Sequence, residues 1–324
     1  MKAMLAHRWC EPSDLELTEL PDLEPGPSQV VIDVKAIGTN FPDILMIQGK
    51  YQIKPPFPFA PGAEVAGVVR AVGSDVTHVK QGDRVLAMLG WGAYATQAVA
   101  HEKQVFLIPD AMPFEHAAAF TIVYQTSYFA LVLRAPVQRG QTLLVHGAAG
   151  GVGLSAVQIG KALGARVLAT AGSPEKRALV KQQGAEDCYD SRDPGWVDAV
   201  LKATQGKGAD HIYDPVGGDV CDLSLKCIAF SGNLHVIGFA SGTIPNCAMN
   251  RVLLKNISLV GLHWGAYQQK DPGKVPESMA ALFKMYEEGQ LPVQIGGSFP
   301  LERAGEALRV IASRQASGKI VLAV

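Results

Sequence analysis

The chain has 324 residues, too many for one ordinary hydrophobic core, so two domains are expected. Apolar residues make up 48% and charged residues 18%, a globular composition that excludes a disordered or fibrous chain. The formal net charge of −1 lacks the basic excess of a nucleic-acid binder, and no apolar run is long enough to span a bilayer. The first residues lack the unbroken apolar segment of a secretory leader, so a cytoplasmic location is expected. The five cysteines, Cys10, Cys188, Cys221, Cys227 and Cys247, are odd in number and scattered, which points to reduced thiols rather than a disulfide framework or a zinc knuckle.

About the first third of the chain reads as β-rich. The runs Gln29 to Gly38 and Ala63 to Gly73, and RVLAML after Gly82-Asp83, are separated by Gly/Pro turns. KPPFPFAPG, from Lys54 to Gly62, holds too many prolines for a helix and predicts a surface loop. From Pro113 the pattern changes, and PFEHAAAFTIVYQTSYFALVL predicts a helix. Strands and helices then alternate: QTLLVHG, a helix ending at Gly164, RVLATA, a helix ending at Gly184, and the apolar runs EDCYD, DHIYDPVG, GNLHVIGF and NISLVGLHW. This order predicts a parallel doubly wound sheet over residues 122–262. After Trp264 come a loop, the helix ESMAALFKMYEEG, a short strand, the helix LERAGEALRVIAS and the strand KIVLAV. This tail is expected to fold back onto the first domain, so that residues 1–121 and 263–324 form one domain and residues 122–262 the other.

The strongest local signal is LLVHGAAGGVGLSAVQIGKALGARVLAT. Gly147, Gly150 and Gly153 are spaced three apart, with Ala148, Gly151 and Val152 in the same turn. A strand leads in and a helix leads out, the context in which backbone amides and the positive helix end hold a dinucleotide diphosphate. A tight turn needed only for packing is the competing explanation. An NAD site usually places an acid at the end of the next strand, about 20 residues on. Here Ala171 stands in that place, followed by Gly172, Ser173 and Lys176, with Arg192 in the next loop. A hydroxyl and cations welcome a 2′-phosphate, so NADPH is the expected cofactor.

Five segments, GTNFPDILMIQGKY, PGAEVAGVV, VHGAAGGVG, YDPVGGD and VIGFASGTIP, resemble the medium-chain dehydrogenases/reductases, and within them the zinc-free quinone oxidoreductase branch. The resemblance covers essentially the whole chain. It implies a GroES-like catalytic domain joined to a Rossmann domain. The zinc members hold their catalytic ion with two Cys and one His. Those positions fall at Asn40, Ala63 and near Ile122, none of which is a zinc ligand. The structural zinc lobe is also missing, because GDRVLAML runs straight on to GWGAYATQ. Without a Lewis acid the expected chemistry is hydride transfer to an electron-poor acceptor, a quinone or an enone, in the cleft between the two domains.

The resemblance further implies that Asn40, Tyr51 and Thr126 face the nicotinamide. Asn40 would donate its amide to a substrate oxygen or to the ribose. Tyr51 would hydrogen-bond a carbonyl as charge develops, or serve only as an aromatic lid. Thr126 would bond the carboxamide or a ribose hydroxyl, or only its own helix backbone. Other members carry a second tyrosine where this chain has Leu45. Loops at Val216-Gly217 and Gly238-Phe239 would cover the cofactor, and backbone groups of Leu262 and His263 would reach the carboxamide. Trp264 would line the cleft or sit in the core, and Glu64 is expected to be structural. The apolar run Asn256 to Trp264 is expected to be an edge strand that pairs with a second copy in a homodimer. A small-molecule acceptor is the expected partner. An enoyl or acryloyl thioester reductase and an NADPH-binding redox sensor with little turnover are the alternatives.

Overall fold

The β-branched runs near the N-terminus become strands because valine and isoleucine pack well on a pleated, buried surface. The computed structural model describes residues 1–324. β1 (Lys2–Leu5) and β2 (Glu16–Glu19) form an antiparallel ribbon. β3 (Gln29–Gly38) is buried along most of its length. It leads into the short helix α1 (Phe41–Ile47), which begins with Pro in its first turn. β4 (Glu64–Val72), β5 (Arg84–Met88), β6 (Gln97–His101), β7 (Val105–Leu107) and α2 (Phe114–Ala118) follow.

The helix predicted from Pro113 is broken. α2 ends at Ala118, and α3 (Thr121–Tyr128) starts afresh before passing into a π-helical turn at Phe129–Arg134. The cause is local. Phe120 N donates to Ala117 O at 3.2 Å, a tightened final turn, and Ile122 N donates to Glu64 Oε2 at 2.9 Å instead of continuing a helical ladder.

The alternating region then forms β8 (Thr142–Val145), α4 (Gly151–Ala162), β9 (Arg166–Ala171), α5 (Pro174–Gln182), β10 (Asp187–Asp190), α6 (Trp196–Ala203), β11 (Ala209–Asp214), α7 (Asp219–Cys227), β12 (Ile228–Val236), α8 (Met249–Lys255) and β13 (Ser258–Gly261). The six strands lie in the order β10-β9-β8-β11-β12-β13, and every pairing is parallel. This is the Rossmann order, with its switch point between β8 and β11. Leu144, Leu168, Ile212 and Leu234 carry one face of the sheet into a core shared with Trp196 and Leu225.

α9 (Tyr267–Lys270) and α10 (Lys274–Glu287) precede the last segment, β14 (Ile295–Pro300), α11 (Ala304–Ala312) and β15 (Lys319–Ala323). β15 pairs antiparallel with β3, completing a sheet ordered β14-β15-β3-β4-β5-β7, with β6 also on β3.

The chain divides into two units, Met1–Ile122 with Val293–Val324, and Val123–Pro292. Residues 263–292 therefore go with the Rossmann unit rather than with the GroES-like one. Ser278 Oγ donates to Gln125 Oε1 at 2.6 Å, and Gln158 Nε2 donates to Pro292 O at 2.8 Å, so α10 and its exit are tied to α3 and α4. No helix is long and apolar enough to cross a membrane.

Candidate active site

β8 delivers the chain into a turn that begins with a buried histidine. His146 lies 2.9 Å from both Thr170 Oγ1 and Ser224 Oγ. Ser224 donates its own hydrogen to Val220 O at 2.7 Å, so His146 Nε2 donates to Ser224 and Nδ1 accepts from Thr170. Burial lowers the imidazole pKa to about 4, which keeps this brace neutral near pH 7. Sequence reading missed it, because its partners stand on a neighbouring strand and on α7.

Past His146 the backbone turns through Gly147 at φ +55°, where other residues are strained. Ala148 N donates to Thr170 O at 3.1 Å and Gly150 N to Gly147 O at 3.0 Å. α4 starts at Gly151. A Cβ on Gly153 would collide with Gly147 O and Ala148 Cα, so only glycine lets the helix seat on the turn. The opening amides of α4, at Gly151, Val152 and Gly153, have no intrahelical carbonyl to bond. From behind, Ser127 Oγ donates to Val152 O at 3.0 Å and lies 2.9 Å from Tyr213 Oη. The turn is braced by these bonds and carries no side-chain carboxylate. It fits the diphosphate of a dinucleotide.

β9 ends at Ala171, and Gly172 keeps the next position clear, where a Cβ would stand 3.6 Å from Ser191 Oγ. Ser173 is the N-cap of α5, its Oγ accepting from Lys176 N at 3.3 Å. Lys176 is half-buried, and desolvation lowers the pKa of its ammonium. Arg192, expected as a phosphate cation, is engaged elsewhere. Its Nε and Nη2 hold Asp190 at 3.2 and 3.1 Å. Arg177 Nη1 approaches the same carboxylate at 3.0 Å. Hydrogen bonds from Arg192 lower the Asp190 pKa to about 2, so this acid at the end of β10 is ionised and its charge is offset by two guanidinium groups. Ser173 and Lys176 stand together at the start of α5, and the Ser191 hydroxyl beside Gly172 is one that sequence reading overlooked.

Two further loops close on each other beside this sheet. Asp214 Oδ1 accepts from Val216 N at 2.8 Å and Gly217 N at 2.9 Å, an Asx turn at the end of β11. Ala240 N donates to Pro215 O and Ser241 N to Val216 O, which stitches the Gly238-Phe239 loop onto it. A Cβ on Gly217 would stand 2.9 Å from the Phe239 ring. Leu262 N donates to Val236 O at 3.1 Å, so its amide belongs to the sheet and cannot also bind a carboxamide. His263 accepts from Ala266 N through its carbonyl. Trp264 is buried, with its indole N–H unpaired. Thr126 is half-buried on α3.

The GroES-like unit holds a second polar group of residues, all buried. Asn40 follows β3, Glu64 opens β4 and Lys319 opens β15. Lys319 Nζ donates to Glu64 Oε1 at 2.6 Å and to Asn40 Oδ1 at 2.5 Å, while Asn40 Nδ2 donates to Glu64 Oε1 at 2.9 Å. The Asn40 amide is thus held at its oxygen by Lys319 and at one Nδ2 hydrogen by Glu64, which is the hub of the cluster. Beside it, Asp43 Oδ2 accepts from Asn40 N at 2.8 Å and Tyr94 Oη at 3.0 Å. Burial pushes the Asp43 carboxyl up to about 7, against the lowering pull of the Asn40 amide, the Lys319 ammonium and the Tyr94 hydroxyl. Tyr51 is half-buried against the core of this unit, and burial and then the Asp43 charge raise its pKa, so the phenol keeps its proton. Neither Lys319 nor Asp43 stood out in the sequence.

Residues 26–110 match the family described as alcohol dehydrogenase GroES-like domain, and residues 151–284 match the one described as zinc-binding dehydrogenase. The chain is 42% identical over 300 residues to quinone oxidoreductase-like protein 2 homolog of Nematostella vectensis, covering 92% of this chain and 82% of that protein. It is 37% identical to quinone oxidoreductase-like protein 2 of Rattus norvegicus, covering 96% and 89%. Among solved structures, Escherichia coli quinone oxidoreductase complexed with NADPH aligns over 100% of both chains with a TM-score of 0.93 at 30% identity.

Proposed function

Since the chain belongs to the zinc-free quinone oxidoreductase family of the medium-chain dehydrogenases/reductases, we propose that it is an NADPH-dependent reductase of quinones and other electron-poor carbonyl or enone acceptors. The observation that carries this reading is the exit of β9, where Ala171 stands in place of the usual acid and the Ser173 hydroxyl and Lys176 ammonium follow. NADPH, when bound, supplies the hydride. The chain's own residues hold and orient the reactants. The amides that open α4 bind the diphosphate, and Ser173 and Lys176 bind the 2′-phosphate. Thr126 and the His263 backbone orient the carboxamide, and the Val216-Gly217 and Gly238-Phe239 loops exclude water from the cofactor.

Tyr51 donates a hydrogen bond to the acceptor oxygen as negative charge develops there, and its raised pKa keeps the donor protonated. Metal-free chemistry is supported by the donor set. Where zinc relatives place a cysteine, this chain has Asn40, whose oxygen already faces the Lys319 ammonium, and a dication would be repelled there. The open edge of β13 and the exposed residues of α8 support a homodimer built through that edge.

A steady-state assay of NADPH consumption with benzoquinone and with crotonyl-CoA tests the reading. Turnover of benzoquinone is expected. Turnover of crotonyl-CoA alone would replace the acceptor by an enoyl thioester. NADPH binding with neither acceptor consumed would remove the enzymatic reading.

A further inference from the structure

We propose that Lys319 is a positioning residue whose ammonium, anchored on Glu64, holds the Asn40 amide in one orientation and strengthens it as a donor toward the acceptor. The proposal rests on the hydride-transfer reading for its consequence, but its geometry stands on the cluster alone. A lysine only donates and a carboxylate only accepts. Lys319 Nζ is on Asn40 Oδ1 and Glu64 Oε1 is on Asn40 Nδ2, so only one of the two amide orientations satisfies both neighbours. One Nδ2 hydrogen is held by Glu64. The other has only Gly38 O at 3.5 Å, too long for a good bond, and it is the hydrogen the proposal assigns to the acceptor. A cation on the carbonyl oxygen draws electron density out of the amide and makes that remaining N–H a better donor.

The surroundings are built around this pair. Lys319 is 5% exposed on its side chain and Glu64 is 0% exposed. A Cβ at Gly38 would sit 2.1 Å from Ala118 O and 2.5 Å from Glu64 Oε1, so glycine is needed there for both the backbone and the carboxylate to fit. Glu64 Oε2 is engaged by Ile122 N, which fixes the carboxylate in turn. Stability alone does not call for such a pair, since well-packed apolar residues of similar volume commonly serve as well or better.

The test uses Lys319→Met, Lys319→Arg, the double variant Glu64→Gln/Lys319→Met, and Asn40→Ala with and without Lys319→Met. The double variant carries no unpaired buried charge, and so guards against a Lys319→Met protein that does not fold. The first readout is hydrogen exchange of the asparagine side-chain amides in the cofactor-free, isotope-labelled protein, with Asn40→Ala identifying the signal. The second is kcat and KM with NADPH and benzoquinone. Removing the lysine is expected to speed Asn40 amide exchange about tenfold or more and to lower kcat about tenfold, with KM for NADPH changed less than about threefold. Lys319→Arg is expected to recover much of both. In the Asn40→Ala background, Lys319→Met is expected to cost less than about twofold further.

Unchanged Asn40 exchange in Lys319→Met and in Glu64→Gln/Lys319→Met would overturn the proposal. So would a full tenfold loss of kcat in the Asn40→Ala background. A wild-type protein that turns over no acceptor would refute the functional reading, and the exchange measurement would then decide the proposal by itself.

Discussion

Asp43 carries a pH signature that can be read directly. Its folded pKa, about 7, lies above the ordinary carboxylate value of 3.8. The folded state therefore binds a proton that the unfolded state has already released over this interval, and stability falls as pH rises from about 4 to 7, by about 4 kcal/mol at most. His146 and His235 act in the opposite sense. Burial depresses both, to about 4 and about 3, so their contribution is complete above about pH 6.5 and lost on acidification. A melting series between pH 5 and 8, run on wild type and Asp43→Asn together, isolates the aspartate, because the histidine contributions are common to both proteins. The variant keeps both hydrogen bonds, because they end on one oxygen that an asparagine can supply, and the wild-type midpoint is expected to fall relative to the variant's as pH rises. A wild-type midpoint that rises or stays level relative to the variant's would contradict the assignment. Residues of this kind were invisible in the sequence. Lys319 meets Asn40 across 279 positions, and Arg192 meets an acid that counts only once β10 lies beside β9. The glycines were legible, because a turn at positive φ and a close helix approach impose their requirement locally.

Elements were legible wherever one physical period governed them. The six Rossmann strands could be read because strand and helix patterns alternate cleanly, and the parallel order follows from crossover handedness. The stretch after Pro113 was not. Its apolar residues suit one long helix, and only the Glu64 carboxylate, arriving from β4, divides it into α2 and α3. The 263–292 segment was misplaced for a similar reason. α10 is amphipathic, but the pattern does not say which unit its apolar face covers, and the Gln125–Ser278 bond decides it. α4 offers a test of element packing. A Cβ at Gly160 would stand 2.6 Å from Leu143 Cδ2 and 3.2 Å from Val167 Cγ2, so the helix lies directly on β8 and β9. Gly160→Val is expected to cost about 1–3 kcal/mol, seen as a lower thermal midpoint. A variant as stable as wild type would mean that the helix is not seated as described.

For the whole molecule, the β13 edge and α8 carry the surface on which the proposed homodimer rests. Leu253 and Leu254 are 75% and 73% exposed, and Phe230, Ile244 and Met249 add to the apolar surface. So much exposed apolar side chain is unusual for a protein that works alone. Light scattering is expected to give twice the chain mass for wild type and the chain mass for Leu253→Asp, and a monomeric wild type would contradict the homodimer. The central claim concerns the nucleotide gripped by the Rossmann unit, and it is tested most directly by comparing kcat/KM for NADPH and NADH in wild type and in Lys176→Glu. The wild type is expected to favour NADPH by about tenfold or more, and the variant to lose that preference while its use of NADH changes less than about threefold. Equal use of the two coenzymes by wild type, or equal losses for both in the variant, would contradict it.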